Sequence, residues 1–229
     1  MLAAIFQASY NSSYDKIIGG VRGTAFFVDG KKALTANHLL NFNNFKPNDG
    51  FLYCKFWLLL ENGQILTIKK DYLKSHPDVD TTIICFPVMV YKDSLNFKTI
   101  IAKRGDKFIL KGFLASVEGN PKPKITLSWN NQGELIVSNF DLSLIISLQE
   151  GSIIEVKNIS LDKPDVKVDN KKYITLSCGG SKGLSGAPLV KSDTGEIMGL
   201  MSYGLPEDVT YKKELFAISI DEIEKEIFK

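Results

Sequence analysis

Residues 183–188 are Gly-Leu-Ser-Gly-Ala-Pro, and this stretch decides the fold. Glycines two positions before and one position after Ser185 leave the serine hydroxyl uncrowded and let the backbone turn sharply. Such a turn aims the amide N–H groups of Gly183 and Ser185 at one point, where they can stabilise a developing oxyanion. The stretch alone is only moderately specific, because glycine–serine turns are common.

Two upstream segments supply the partners that a serine nucleophile needs. The apolar runs Gly23–Val28 and Ala33–Ala36 predict two strands joined by a turn at Asp29-Gly30, with His38 just beyond the second. Further on, Asp80 directly precedes a run that predicts a buried strand, Ile83–Phe86. A serine hydroxyl is a poor nucleophile, so an imidazole must take its proton and a carboxylate must orient the imidazole.

In the order His38, Asp80, Ser185, these segments resemble the trypsin-like (chymotrypsin-fold) serine peptidases, in the style of the bacterial and HtrA-like members. The resemblance implies that Ser185 is the nucleophile, His38 the general acid and base, and Asp80 its orienting carboxylate. The amides of Gly183 and Ser185 would form the oxyanion hole. Asp78 is the competing carboxylate, and Asp80 is preferred because the family's aspartate directly precedes a buried strand. The second histidine, His76, lies in a polar stretch that indicates a solvated loop.

The same resemblance extends to the substrate-binding residues. Ser202-Tyr203-Gly204 resembles the family's Ser-Trp-Gly strand, which pairs with the substrate backbone. Gly179 and Gly180 occupy the position of the pocket floor, and Ala217 that of its far wall. A floor without a carboxylate implies an apolar or aromatic side chain before the scissile bond.

Lys182, at the rim of that pocket, would favour acidic neighbours in the substrate. The segment Lys16–Gly20, Lys-Ile-Ile-Gly-Gly, looks like the activation site of secreted trypsins. That activation requires an aspartate directly before the nucleophile, and here the position holds Leu184. The segment is therefore predicted to be a strand of the first barrel, and activity would be controlled in another way.

The rest of the chain predicts an all-β fold: two antiparallel six-stranded β-barrels of the chymotrypsin type with a short C-terminal helix. Hairpins are expected around Asn62-Gly63 and Asn130–Gly133, and strands at 142–148 and 152–161. The helix is expected over 219–228, capped by Ser219 or Asp221. With a division near Asn96–Gly105, residues 1–100 form the lobe of His38 and Asp80, and residues 101–229 the lobe of Ser185.

The composition indicates which partners and which cellular compartment to expect. The 229 residues include 28 basic and 26 acidic side chains, so no electrostatic footprint for nucleic acid is present. No stretch predicts a membrane span or a signal peptide, and no spacing predicts a metal or other cofactor. Three cysteines, Cys54, Cys85 and Cys178, cannot all pair, which favours a reducing compartment. Cytoplasmic residence is therefore expected.

These observations predict a serine endopeptidase that acts through an acyl-enzyme on a protein or peptide substrate. An intracellular regulatory or defence role is expected, and no PDZ-like segment follows, unlike in HtrA proteases. The alternative is a latent or inactive protein of the same fold that acts as a binding module. An intermediate possibility is a latent protease that an activating protein partner switches on.

Overall fold

The computed structural model describes residues 1–11, 16–42, 51–76, 78–90, 98–118, 120–163, 166–179, 181–204 and 215–227. In these ranges more than half of the residues lie in β-strands, and one α-helix lies near the end of the chain. The strands form two main antiparallel sheets and a separate two-stranded hairpin. The all-β class predicted from the sequence is confirmed.

The first sheet curls into an open half-barrel. Its strands are β1 (Leu2–Tyr10), β2 (Ile17–Phe27), β3 (Lys32–Thr35), β4 (Tyr53–Leu60), β5 (Ile65–Ile68), β6 (Leu73–Ser75) and β7 (Thr82–Cys85). Their order is β5-β4-β1-β2-β3-β7-β6, which places β5 and β6 at opposite edges. The link from Ile68 to Leu73 reaches at most about 18 Å, whereas seven flat strands would span about 29 Å. The sheet must therefore curl until its edges approach each other.

The second sheet closes completely. The remaining strands are β8 (Lys107–Phe113), β9 (Lys124–Trp129), β10 (Leu135–Asp141), β11 (Ile146–Lys163), β12 (Val166–Leu176), β13 (Pro188–Lys191), β14 (Ile197–Gly204) and β15 (Leu215–Ser219). Six of them form a closed barrel in the order β11-β12-β15-β14-β13-β8, while β9 and β10 pair only with each other. Closure leaves none of the described barrel strands at an open edge of the sheet, although β14 continues past its pairing with β13, which ends at Leu200.

The α-helix α1 (Ile220–Ile227) follows β15 directly and packs against β14 and β15, as the sequence predicts. Its buried Ile220 and Ile223 belong to the same apolar cluster as Leu34 and Ile84 of the first sheet. The helix therefore packs against residues of both sheets. Phe228, the last residue of the predicted helix, lies outside the described residues.

Two predicted hairpin turns are confirmed by their backbone geometry. Gly63, between β4 and β5, has a φ of +88°, and Gly133, between β9 and β10, has a φ of +71°. This left-handed region costs glycine little and other residues more, which is why an Asn-Gly pair marks such turns so well.

Three local features of the strands differ from the sequence prediction or add detail to it. The first sheet has seven strands rather than six, because the three residues of β6 are too few to show an alternating pattern. Residues 146–163 form one long strand, preceded by a 3-10 turn over Ser143–Ile145. Gly151 does not interrupt that strand; a Cβ there would lie 2.7 Å from the Ser177 hydroxyl, so glycine permits a close approach.

The predicted division of the chain near residue 100 remains a prediction, and residues 91–97, including Asn96, lie outside the described residues. The segment Lys16–Gly20 leads into β2, in agreement with its interpretation as a strand. His38 and Asp80 flank strands of the first sheet, and Ser185 precedes β13 of the barrel. The candidate residues therefore come from both sheets.

Candidate active site

His38 and Asp80 meet because β3 and β7 are neighbours. Thr35 at the end of β3 pairs with Thr82 at the start of β7. The chain then turns into a 3-10 helix, Asn37–Leu40, which carries His38 back towards the residues that precede β7. The Asn37 side-chain oxygen accepts hydrogen bonds from the hydroxyls of Thr82 (2.6 Å) and Ser75 (2.8 Å), which hold this helix in place.

Both oxygens of the Asp80 carboxylate contact His38. Its Oδ2 lies 2.7 Å from His38 Nδ1, and its Oδ1 accepts a hydrogen bond of 3.0 Å from the His38 amide. The Asp80 side chain is only 2% exposed, so its charge is stabilised by these partners rather than by water. With Nδ1 occupied, the histidine has Nε2 left for proton transfer.

A third donor to Asp80 comes from the barrel. The buried Ser202 hydroxyl donates a hydrogen bond of 2.7 Å to Asp80 Oδ2. Tyr173 lies in the same buried region, with its hydroxyl near Ser202 and Asp80. Burial and the Asp80 carboxylate raise the pKa of Tyr173 and outweigh the Ser202 hydroxyl, which acts to lower it, so the phenol stays neutral. Sequence reasoning placed Ser202 on the substrate strand and did not single out Tyr173.

The loop that carries Ser185 requires glycine at two positions. Gly183 has a φ of +110°, and a Cβ there would lie 2.0 Å from the Ala115 amide nitrogen. Gly186 has a φ of +83°, and a Cβ there would lie 2.0 Å from the Thr24 carbonyl oxygen. Both conformations are unfavourable for other residues, and both sites lack space for a side chain. The glycines therefore permit the sharp turn that the sequence predicts.

The peptide groups of this loop are oriented by neighbours on both sheets. The Lys182 carbonyl accepts a hydrogen bond of 2.8 Å from the Ala115 amide, and the Gly183 carbonyl accepts one of 3.2 Å from the Thr24 hydroxyl. Among the described residues, neither the Gly183 amide nor the Ser185 amide donates to another group. Within the described residues, both of these N–H groups of the Ser185 loop thus have no acceptor, as an oxyanion hole requires.

The Ser185 hydroxyl itself donates a hydrogen bond of 3.1 Å to the Ser202 carbonyl. Within the described part of the chain, this is the contact that the hydroxyl makes, and none joins it to His38. His38 and Ser185 nevertheless line the same cleft, which has a volume of about 420 Å³. The Ser185 hydroxyl would have to give up its bond to the Ser202 carbonyl before it could donate to His38.

The remaining predicted residues are placed as follows. Gly179 is exposed beside the nucleophile loop, and Gly180 lies outside the described residues. Tyr203 is half-buried on β14, which ends at Gly204, and Ala217 is fully buried in the barrel core on β15. The place of Ala217 in the wall of a specificity pocket stays a prediction.

The two competing residues lie away from this cluster. Asp78 is exposed, and its carboxylate lies 3.4 Å from the Lys171 ammonium. His76 accepts a hydrogen bond of 3.1 Å from the Asp78 amide and is half-buried. The geometry therefore brings together His38, Asp80 and Ser202, with Ser185 in the same cleft.

Known structures share this architecture. No protein-family model matches the chain, and no curated protein matches its sequence. Among solved structures, the active form of the Rv3671c protease from M. tuberculosis matches 99% of this chain and 80% of its own, with a TM-score of 0.59 and 16% identity. The fold is that of the chymotrypsin-type serine proteases. The inactive form of the Rv3671c protease matches 97% of this chain and 86% of its own, with a TM-score of 0.57 and 15% identity.

The HtrA-type protease AlgW, solved with a decapeptide, has the same chymotrypsin-type fold. It matches 99% of this chain with a TM-score of 0.66 and 13% identity, and this chain spans 62% of its length. At these identities the similarity establishes the chymotrypsin-type fold, and the chemistry has to be argued from the site itself.

Within its described residues, this chymotrypsin-type molecule has neither a helix that could span a membrane nor a cluster of side chains that could hold a metal ion. In the described ranges, no helix has the length and apolar content needed to cross a lipid bilayer. In the same ranges, no three side chains of His, Cys, Asp or Glu are placed to hold a metal ion together.

Proposed function

We propose that this protein is a serine endopeptidase in which Ser185 is the nucleophile. The observation that carries the proposal is the buried Asp80 carboxylate, 2.7 Å from Nδ1 of His38, since His38 lines a cleft together with Gly183 and Ser185. The amides of Gly183 and Ser185 donate to no described residue. This arrangement keeps the His38 tautomer that has Nε2 free to accept a proton, and it stabilises the imidazolium that forms.

The chemistry follows from those contacts. Ser185 Oγ attacks the scissile carbonyl while His38 Nε2 takes its proton, and the amides of Gly183 and Ser185 bind the oxyanion. His38 then gives the proton to the leaving amine, and the Ser185 ester remains. Water attacks that ester with His38 again acting as the base, and the acid product leaves with Ser185 restored.

Strand β14 has a part in releasing the serine. A substrate that adds to β14 as an extra strand would offer a backbone N–H to the Ser202 carbonyl, which the Ser185 hydroxyl occupies in the free protein. Loss of that acceptor frees the hydroxyl to turn to His38. The resting contact therefore slows attack by Ser185, and a bound peptide removes that restraint.

The finer features of the function are also part of the proposal. An exposed Gly179 with no carboxylate is compatible with an apolar or aromatic side chain before the scissile bond. Cys54, Cys85 and Cys178 form no disulfide, which suits a reducing cytoplasm. A regulatory or defence role inside the cell, with or without an activating partner, fits this setting.

The test is intact-mass measurement after incubation with a fluorophosphonate, which reacts with an activated serine. We expect one stoichiometric adduct on the wild type and none on Ser185→Ala. In peptide hydrolysis, the same substitution should lower kcat by about 10⁶-fold, because the nucleophile and its proton transfer are both lost. Peptidase activity that survives in Ser185→Ala would overturn the assignment.

The second candidate is a latent or inactive protein of this fold that binds peptides. The observation in its favour is the Ser185 hydroxyl, which donates to the Ser202 carbonyl rather than to His38. This candidate predicts no adduct with the fluorophosphonate, even on the wild type. A peptide or protein partner that restores labelling would identify the latent form.

A further inference from the structure

The cleft beside Ser185 extends to one side of the nucleophile only. His38, Gly183 and Ser185 belong to its lining, but no residue of β14 or β15 does within the described part of the chain. If the acyl half of a substrate pairs with β14, as proposed above, the cleft receives the half that follows the scissile bond. The position of His38 in the lining agrees, because His38 protonates the leaving amine on that side.

The walls of the cleft are joined before any ligand binds. Val21 and Ser116 exchange two hydrogen bonds, from the Val21 amide to the Ser116 hydroxyl and from the Ser116 amide to the Val21 carbonyl, both 2.9 Å. The Lys182 carbonyl accepts the bond from Ala115 described above, and the Ser185 carbonyl accepts one of 2.9 Å from the Thr24 amide. A preformed cleft costs little ordering entropy when a peptide enters.

The charge of the lining has one sign. Arg22, on β2, and Lys182, before the nucleophile loop, are both exposed and both line the cleft. Neither makes an ion pair with a described residue, and the described lining includes no Asp or Glu. Glu118 follows the lining residue Val117 in the chain but is not part of the lining. Two unpaired cations on a concave surface produce a positive potential that attracts carboxylates.

We propose that this cleft selects acidic side chains in the substrate segment that follows the scissile bond, and that Arg22 and Lys182 are the residues that determine this preference. The proposal rests on the proposed peptidase function. It adds a substrate class: polypeptides with Asp or Glu within the first few positions after the cleaved bond.

Acyl transfer tests the cleft without knowledge of the residue before the scissile bond. p-Nitrophenyl butyrate acylates Ser185 and releases p-nitrophenol, after which either water or an added amine attacks the butyryl ester. When the amino group of a peptide attacks, an amide bond forms, the Ser185 ester bond breaks, and Ser185 Oγ regains its proton through His38. The two amines are Leu-Glu-Glu amide and Leu-Gln-Gln amide, which differ only in charge.

We expect the butyryl-peptide product to form about three- to tenfold more efficiently with Leu-Glu-Glu amide than with Leu-Gln-Gln amide. In 1 M salt the Debye length falls to about 3 Å, so the preference should nearly vanish. In the double variant Arg22→Gln/Lys182→Gln the ratio of the two efficiencies, Leu-Glu-Glu amide over Leu-Gln-Gln amide, should fall to about one. The matched control is Arg104→Gln/Lys122→Gln, which removes two exposed cations that do not line the cleft and should keep the wild-type preference.

The failure of this inference is distinguishable from the failure of the proposed function. Acylation by the ester with equal use of both amines would overturn the acidic preference and leave the peptidase proposal intact. Absence of acylation would overturn the peptidase proposal. Binding of the two amides to Ser185→Ala, followed by NMR titration, then decides the preference of the cleft: tighter binding of Leu-Glu-Glu amide that Arg22→Gln/Lys182→Gln abolishes supports it, and equal binding refutes it.

Discussion

The surroundings of each carboxylate near His38 determine what that carboxylate is able to do. Asp80 receives three hydrogen bonds, from the His38 ring, the His38 amide and the Ser202 hydroxyl, and almost none of its surface meets water. Asp78, two positions earlier, is exposed and faces Lys171. Two carboxylates so close in sequence thus have different surroundings, and only one is able to orient the histidine.

Asp80→Asn should lower kcat/KM by about 10⁴-fold, because an amide favours the wrong His38 tautomer and cannot stabilise the imidazolium. Asp78→Asn is the matched control and should change kcat/KM by less than about twofold, since an exposed ion pair contributes little. Peptide hydrolysis or the rate of fluorophosphonate labelling measures both. A larger loss for Asp78→Asn than for Asp80→Asn would reverse the assignment of the carboxylate.

The sequence predicts which residues form the candidate site, but it does not predict the contact that the Ser202 side chain makes. Ser202 was expected on the substrate strand, yet its side chain binds Asp80. The direction of that side chain depends on how β14 lies against the loop that carries Asp80, and no local sequence pattern encodes this contact. Tyr173 has a sequence signal only as an aromatic residue in an apolar strand, which is ordinary for a core position.

At the scale of elements, strand pairing accounts for most of the site. The pairing of β3 with β7 brings the His38 turn and the Asp80 loop together. Strand β14 supplies Ser202, whose hydroxyl binds Asp80 and whose carbonyl accepts the Ser185 hydroxyl. We propose that a substrate backbone adds to the same strand, in which case one carbonyl group would link substrate binding to release of the serine.

This link predicts a dependence on one backbone N–H of the ligand. An N-acetyl-phenylalanine diphenyl phosphonate should react with Ser185 about tenfold faster than its N-methyl analogue, because only the former replaces the Ser185 hydroxyl at the Ser202 carbonyl. The second-order labelling rates, followed by intact mass, give the ratio. Equal rates for the two phosphonates would show that the carbonyl does not restrain the serine.

Helix α1 begins with a carboxylate that links it to the barrel. Asp221 is paired with Lys172 of β12 and accepts a hydrogen bond from the Ser219 hydroxyl. Burial acts to raise the pKa of Asp221, but Lys172 and Ser219 outweigh it, and the pKa lies below its ordinary value. A lowered pKa stabilises the fold above the unfolded value of about 4 and ceases to do so as pH falls through the lower folded value.

Asp221→Asn should therefore lower the free energy of unfolding by about 0.5–1 kcal/mol at pH 7, a modest figure because the pair is partly exposed. The difference from wild type should shrink at pH 3.5, where the wild-type carboxylate begins to lose its charge. Urea unfolding at both pH values measures it, with Asp162→Asn, an exposed position on the β11–β12 hairpin, as the unaffected control. A gap that is the same at both pH values would exclude the charged pair as its origin.

On the scale of the whole molecule, Thr24 connects the two sheets at the active site. This buried residue of β2 donates through its hydroxyl to the Gly183 carbonyl, and the same hydroxyl accepts a hydrogen bond of 2.9 Å from the Phe113 amide of β8. Its amide donates to the Ser185 carbonyl, and its carbonyl accepts from the Thr35 hydroxyl. The first sheet therefore holds the nucleophile loop that belongs, by connectivity, to the barrel.

Thr24→Val keeps the shape and removes the hydroxyl, which leaves the Phe113 amide and the Gly183 carbonyl without a partner in a buried place. We expect a loss of about 2–4 kcal/mol in the free energy of unfolding and slower fluorophosphonate labelling, since the nucleophile loop keeps the Thr24 amide but loses the Thr24 hydroxyl as an anchor. Thr24→Ser retains the hydroxyl and should recover the labelling rate. Wild-type labelling in Thr24→Val would show that the loop is held without this residue.

By itself, the sequence determined what depends on near neighbours in the chain. Asn62-Gly63 predicts a tight turn because one residue there needs a left-handed φ, and Gly183 and Gly186 predict a sharp loop for the same reason. The alternation of apolar residues indicates strands, and the types of His38, Asp80 and Ser185 indicate the chemistry. Only the tertiary structure decided that Ser202 binds Asp80, that Thr24 anchors Gly183, and that Arg22 lies in the cleft with Lys182. Those contacts join residues that are far apart in the chain, and they exist only once one sheet has curled and the other has closed.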